Sequence, residues 1–519
     1  MGASQARPDR SRPFHVGQPS SQPCGRNAND ARPDLTPLAY RPVLCAVAAL
    51  ALLLTVTSNR YGYHRDELYF RMLRPAWGYV DQPPLAPLLT RAVSRLLADQ
   101  PWAVRVPATL AAACSVLVVV LVTREFGGGR TAQALCAWGY ASASLVLIIG
   151  HALLTATLDL PVWPAIVLFA VRAQLRREPK WWLAAGLVIG VSMYNKLLVA
   201  VLVAAVVAGV ALVGPRALLR SGWVVGAGLL ALAVGFPNLA YQASHHWPQI
   251  AVGQALAREN ASDVRVTMWP LLFLILGPPL VPIWVAGLAA LARRPQWRPV
   301  RFLAAAFPVL LVLVFVMGAQ VYYPFGFLAV LFAAGCVPTE RWMLGWRWRL
   351  VASGVALNAA VSSVLGLPLI PLKALGATPV PGVNQVARDT VGWPAYVAQI
   401  AAAYRTLPTD RRDEAVVVTS NYGEAGAVDR YGRRWGLPPV YSGLNDLYFQ
   451  GPPSDSIDTV VFVGGQAPTA AHLFASCLRS AGLDNNVDVA NEEQDEPIFL
   501  CHGPRGGWPV VWPALRHEG

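Results

Sequence analysis

Lysine is almost missing from this chain: Lys180, Lys196 and Lys373 are the only three in 519 residues, and every other basic side chain is arginine. Charge of either sign is scarce, at 14% of residues, where soluble globular chains carry roughly 25%. With 55% of residues hydrophobic, this excludes an ordinary water-soluble fold and points to lipid as the solvent. The formal charge of +13 does not indicate a nucleic-acid partner. The arginines sit in short clusters between apolar runs, a pattern of membrane topology and not of a polyanion-binding face. The seven cysteines lack metal-ligand spacing. Cys45, Cys114, Cys136 and Cys336 lie in apolar runs and read as small core residues. No Gly-rich phosphate loop stands in its required strand-to-helix context. Residues 1–41 hold no apolar stretch and are rich in Pro, Ser and Arg, so they read as a disordered cytoplasmic tail. A secretory signal would place its apolar segment earlier, so the first one is expected to be a retained anchor.

Apolar segments are what the sequence has in plenty. Eleven recur, at 42–58, 104–122, 131–149, 161–175, 181–195, 197–214, 222–240, 269–291, 301–318, 324–338 and 350–371. With the tail inside, each loop on the inner side is short and arginine-rich, as the positive-inside rule requires. An odd count places the C-terminus outside the cell. The expectation is a polytopic α-helical membrane domain over 42–371, with two long outer loops at 59–103 and 241–268. The stretch "PPLAPLLTRAVSRLLA" in the first loop has the spacing of an amphipathic helix on the membrane surface. Beyond residue 372 the composition changes. "AVVVTS" and "DTVVFVGG" read as buried strands, and "NYGEAGAVDRYGRRWG" and "TAAHLFASCLRSAG" as the helices that follow them. Strands alternating with helices predict a small extracytoplasmic α/β domain over 372–519. Cys477 and Cys501 are the two cysteines of that region and are expected to pair if it lies outside.

The sharpest polar feature is "NRYGYHRDELYF", just after the first apolar segment. Asp66 and Glu67 are adjacent acids flanked by His64, Arg65 and tyrosines. A carboxylate close to hydrocarbon is disfavoured unless it is paired or lines a wet cavity, so such groups are functional candidates. Read alone, the cluster equally fits an interfacial anchor. Asp159, Lys196, Tyr322 and Tyr323 fall on the same side of the membrane in the eleven-segment topology, and a scatter of tolerated charges would not favour one face. A carboxylate that takes a proton from an attacking hydroxyl, beside a cation that stabilises a departing phosphate, suits displacement at a sugar's anomeric carbon. A lipid-tailed donor would present its head where these helix ends lie.

"YGYHRDELYF" followed by "AWGYVDQPPLAPLL", then "GVSMYNKLLVA", "FPNLAYQASHHWPQI", "YYPFGFLAVLFAAG" and "NYGEAGAVDRYG", resembles the bacterial dolichyl-phosphate-mannose protein mannosyltransferase-like proteins. These are family 39 glycosyltransferases of the GT-C fold, related to the lipid A aminoarabinose transferase. The resemblance implies an inverting glycosyltransferase that moves a sugar from a polyprenyl-phosphate donor to a protein, lipid or glycan hydroxyl at the outer membrane face. It implies no cofactor and leaves a divalent metal open. By the same resemblance Asp66 is the catalytic carboxylate, and Glu67 and Asp159 are acids that engage substrate. Relatives often carry Lys where this chain has Gln82 and Gln320, which leaves Lys196, Arg65 and Arg105 as the candidate phosphate cations. Two other readings are a transporter or flippase of lipid-linked sugars and a catalytically silent membrane scaffold. A transporter would place ionisable groups near the bilayer midplane and show inverted repeats, and the sequence shows neither.

Overall fold

The computed structural model describes Gly2 and Leu35–Glu518, so most of the expected tail lies outside the described residues. All eleven apolar segments are helical. Five helices have the length and apolarity to cross a bilayer: Tyr40–Thr57, Pro101–Glu125, Thr155–Leu175, Gly222–Ser244 and Arg347–Gly366. Two further segments are bent pairs, Arg130–Ala141 with Ser144–Gly150 (52°) and Ala261–Leu274 with Pro278–Arg293 (70°). Trp181–Ser192, Val199–Val213 and Phe302–Met317 are shorter apolar helices, and Phe325–Trp342 runs through the middle of the apolar core. The chain is therefore a multi-pass helical membrane protein with five to seven candidate spans among the described residues.

Small residues let these helices approach closely. A Cβ on Gly287 would stand 1.9 Å from the carbonyl of Leu331, and one on Gly335 would stand 1.8 Å from that of Ile283. In lipid, where apolar burial does not drive association, such backbone contact is what packing draws on. The two bends share one polar residue. Asn358, buried on the helix Arg347–Gly366, donates its amide to the carbonyls of Ser142 (2.9 Å) and Leu276 (3.2 Å). A broken helix frees carbonyls that hydrocarbon cannot satisfy. Here one side chain satisfies a carbonyl at each break. Gly277 turns the second break with φ +106°, and its hydrogen faces Asn358 so closely that no side chain would fit.

Two stretches differ from the sequence expectation. Over 241–268 the chain is not an open loop. Pro248–Leu274 is one helix of 27 residues, entered through a left-handed Trp247 with Pro248 at its first position. "TAAHLFASCLRSAG" does not form a helix either. After a short turn, Phe474–Gly482 is a strand.

The C-terminal domain holds a five-stranded mixed sheet. Its strands are β1 (Ala415–Thr419), β2 (Val440–Ser442), β3 (Thr459–Val463), β4 (Phe474–Gly482) and β5 (Pro497–Pro504), in the order β2-β1-β3-β5-β4. β1 pairs in parallel with β2 and β3, whereas β5 runs antiparallel to β3 and β4. The central β1 and β3 are buried along their whole length, which explains why they read as unbroken apolar runs. Val416, Val418, Val460 and Phe462 face the helix Trp508–Ala514. Val417, Val461 and Val463 face Trp393–Arg405 and Tyr422–Tyr431. A disulfide joins Cys477 to Cys501, directly opposed on β4 and β5. The core that includes Val417 and Val461 also takes in Tyr63, Leu68, Val104 and Leu153, so the domain packs on the loops next to the membrane helices.

Candidate functional site

The motif after the first helix folds into a short helix, Arg65–Met72, because its own residues cap it. The Glu67 carboxylate accepts the backbone N–H of His64 (2.8 Å), and His64 Nδ1 accepts that of Asp66 (3.1 Å). This reciprocal arrangement is a capping box, and it occupies Nδ1 of His64.

Glu67 and Arg105, also expected to bind substrate, are instead each other's partners. Glu67 is 0% and Arg105 1% exposed. Arg105 Nε and Nη2 each donate to a Glu67 oxygen at 3.0 Å. Two further arginine hydrogens go to the carbonyls of Ser58 and Gly62, and Glu67 also accepts the N–H of Leu153 at 2.9 Å. A buried charge needs this degree of satisfaction to be tolerated. The pair ties the end of the first helix, the site loop, the start of Pro101–Glu125 and the Leu153 turn into one block.

Asp66, the neighbour of Glu67, is held differently. Its side chain is 30% exposed, and its Oδ1 accepts a hydrogen bond from the hydroxyl of Tyr422 at 3.2 Å. Arg65 forms an ion pair with Glu492 and lies 4.7 Å over the Tyr422 ring, contacts that tie it to the C-terminal domain, while its buried Nε has no hydrogen-bond partner among the described residues. Gln82 is buried, with its amide nitrogen unpartnered among the described residues.

Asp159, Lys196, Tyr322 and Tyr323 do converge. They line one cavity with the apolar walls Leu145, Ile149, Ala156, Leu160, Trp163 and Phe325. Lys196 Nζ lies 4.6 Å from the ring centre of Tyr323 and 5.7 Å from that of Tyr322. Asn195 donates to Asp159 at 2.9 Å. No ion pair within 4.0 Å joins Lys196 to a carboxylate among the described residues. Its charge is therefore available to an anion. Burial holds the Tyr322 phenol above its ordinary range, the Lys196 charge opposes this, and the charges of Tyr323, Asp66 and Asp159 add to it. Among the described residues no group of three His, Cys, Asp or Glu side chains is placed to hold a metal ion.

Reading the sequence alone missed three residues of this region. Tyr422 and Asn195 stand inside motifs singled out above but carried no charge to draw notice. Asp81, next to Gln82, accepts from Tyr69 at 3.2 Å, and burial pushes its carboxyl up to about 7, with the Asp446 charge adding to the effect.

Comparison with known proteins agrees with the resemblance read from the sequence. Residues 81–241 match the family described as dolichyl-phosphate-mannose-protein mannosyltransferase. No curated protein matches the chain. Among solved structures, ArnT from Cupriavidus metallidurans in the apo state aligns with a TM-score of 0.56 at 15% identity, covering 88% of this chain and 97% of that one. The same protein bound to undecaprenyl phosphate aligns with a TM-score of 0.56 at 16% identity and the same coverage. At such identity the likeness is one of fold.

Proposed function

We propose that this chain is a membrane glycosyltransferase, as the family match over residues 81–241 suggests, and that it moves a sugar from a polyprenyl-phosphate donor to an acceptor hydroxyl, with inversion. The observation that carries this reading is the cavity: Lys196, Asp159 and two tyrosines head a pocket with apolar walls. The apolar walls suit the first isoprene units, and Lys196 suits the phosphate. Asp66 takes the proton of the acceptor hydroxyl as that oxygen attacks the anomeric carbon. The sugar's bond to phosphate oxygen breaks, and the polyprenyl phosphate leaves with the electron pair. A solved neighbour of this fold was captured with undecaprenyl phosphate, which is the leaving group such a reaction produces. Asp159 keeps Lys196 charged and oriented, while Glu67 and Arg105 hold the frame. In this reading 1–41 is cytoplasmic and 372–519 lies outside, over the membrane domain. The acceptor is a protein, lipid or glycan.

The test uses full-length protein and radiolabelled undecaprenyl-phosphate hexoses and pentoses, scored for transfer or hydrolysis. Asp66→Asn keeps its shape but cannot take a proton, so turnover should fall about 10²- to 10⁴-fold while donor binding changes little. Lys196→Ala should weaken undecaprenyl-phosphate binding about 10- to 100-fold, as a charge-assisted contact is lost. Unchanged turnover in Asp66→Asn would return the acid pair to an interfacial anchor.

A further inference from the structure

We infer that Tyr422, from the C-terminal domain, is a positioning residue for Asp66, so that the reactive carboxylate is completed only when the domain is docked. The inference rests on Asp66 acting as the base. Its starting point is a single contact across 356 residues of sequence: the Tyr422 hydroxyl donates to Asp66 Oδ1 at 3.2 Å. Oδ2 takes no hydrogen bond from a described residue. One oxygen is thus held while the other is left for an acceptor hydroxyl.

The surroundings fix Tyr422 tightly enough for this role. Its ring packs on Tyr69 with centroids 4.7 Å apart, and the Arg65 guanidinium lies 4.7 Å over it. Arg65 is in turn anchored by Glu492. Two glycines bring the helices together. A Cβ on Gly426 would stand 2.7 Å from the backbone of Leu68, and one on Gly423 would stand 3.1 Å from Arg65 Cβ. Arg71 closes the far end, donating to Asp429 at 2.7 Å. A hydroxyl held by packing on two sides and by an adjacent cation costs little further ordering when it meets the carboxylate.

Tyr422→Phe removes the oxygen and keeps the ring, its stacking and the arginine contact. With undecaprenyl-phosphate sugars as probes, kcat should fall about 10-fold or more, the size expected for one hydrogen bond to an ionised group, with KM unchanged. In an Asp66→Asn background the same change should have no further effect, because Tyr422 acts through Asp66. A loss of folded protein would instead multiply the loss in both backgrounds. Carbodiimide labelling of Asp66, followed by peptide mass spectrometry, needs no substrate. Without the hydroxyl that covers Oδ1, the carboxylate is open to the reagent on both oxygens, and labelling should be several-fold faster in Tyr422→Phe. Unchanged labelling, or a kcat loss repeated in full on Asp66→Asn, overturns the inference and leaves the transferase reading intact. Normal turnover in Asp66→Asn overturns both.

Discussion

Replacing Glu67 by glutamine alters no volume, yet the structure makes it one of the most damaging single changes available. Four donors converge on the two carboxylate oxygens: Arg105 Nε and the Leu153 N–H on Oε1, and Arg105 Nη2 and the His64 N–H on Oε2. Whichever oxygen becomes nitrogen, two N–H groups that had an acceptor then face another donor. The Arg105 charge also loses its counter-charge while only 1% exposed. Breaking a buried pair from one side costs about 3–5 kcal/mol. The bonds from Arg105 to Ser58 and Gly62 survive, which places the expected loss near the lower end, at about 3 kcal/mol. That is a large share of a net stability of about 5–15 kcal/mol. The assay is the thermal midpoint of the detergent-solubilised protein, expected to fall by several degrees. Undecaprenyl-phosphate affinity of the folded fraction should be unchanged, because Glu67 does not line the cavity. The argument fails if Glu67→Gln keeps its midpoint and loses affinity instead, since that is how a residue touching the ligand behaves.

Three further outcomes are expected. Asp81, with its carboxyl raised to about 7 by burial, binds its proton more tightly folded than unfolded, so its contribution to stability falls as pH rises from about 4 to about 7. Asp81→Asn should flatten this part of the midpoint-versus-pH curve, and an unchanged slope would count against the assignment. Reducing Cys477–Cys501, which spans a sequence separation of 24, should cost about 3 kcal/mol. It should also slow the protein's migration on non-reducing gels, whereas free native thiols at either position would contradict the pairing. Asn358→Leu deprives two buried carbonyls of their donor, at about 1–3 kcal/mol each. A midpoint equal to wild type would mean that water replaces the amide.

Hydropathy made the membrane domain legible, because a run of apolar residues has few alternatives to helix in lipid. The bends were harder to see. Gly277-Pro278-Pro279 does announce a break, but the apolar run continues through it and reads as one span. The β4 strand was misread for a different reason. Leu473, Phe474, Cys477 and Leu478 recur at helical spacing, yet pairing with β5 and the cross-strand disulfide set the conformation. Charge placed near hydrocarbon identified Asp66, Asp159 and Lys196, and the structure brings the last two into one cavity with the tyrosine pair. The same logic drew in Glu67 and Arg105, whose partnership spans 38 residues, and sequence does not tell a paired charge from a waiting one. Tyr422 had no local signal, since its contact with Asp66 exists only in the tertiary structure.

The shared amide of Asn358 also says something about time. The carbonyl of Ser142 is made 216 residues before the side chain that satisfies it. At translation rates of about 5–20 residues per second, that interval is roughly 10–40 s. A bare carbonyl in hydrocarbon is too costly to wait that long, so Arg130–Gly150 should enter the bilayer as a straight helix and bend only when the helix Arg347–Gly366 arrives. A nascent chain stalled before residue 358 should then have a longer membrane-protected stretch around residue 142 than the finished protein. The kinks should then be a late product of assembly, set only once the last apolar helix has been inserted.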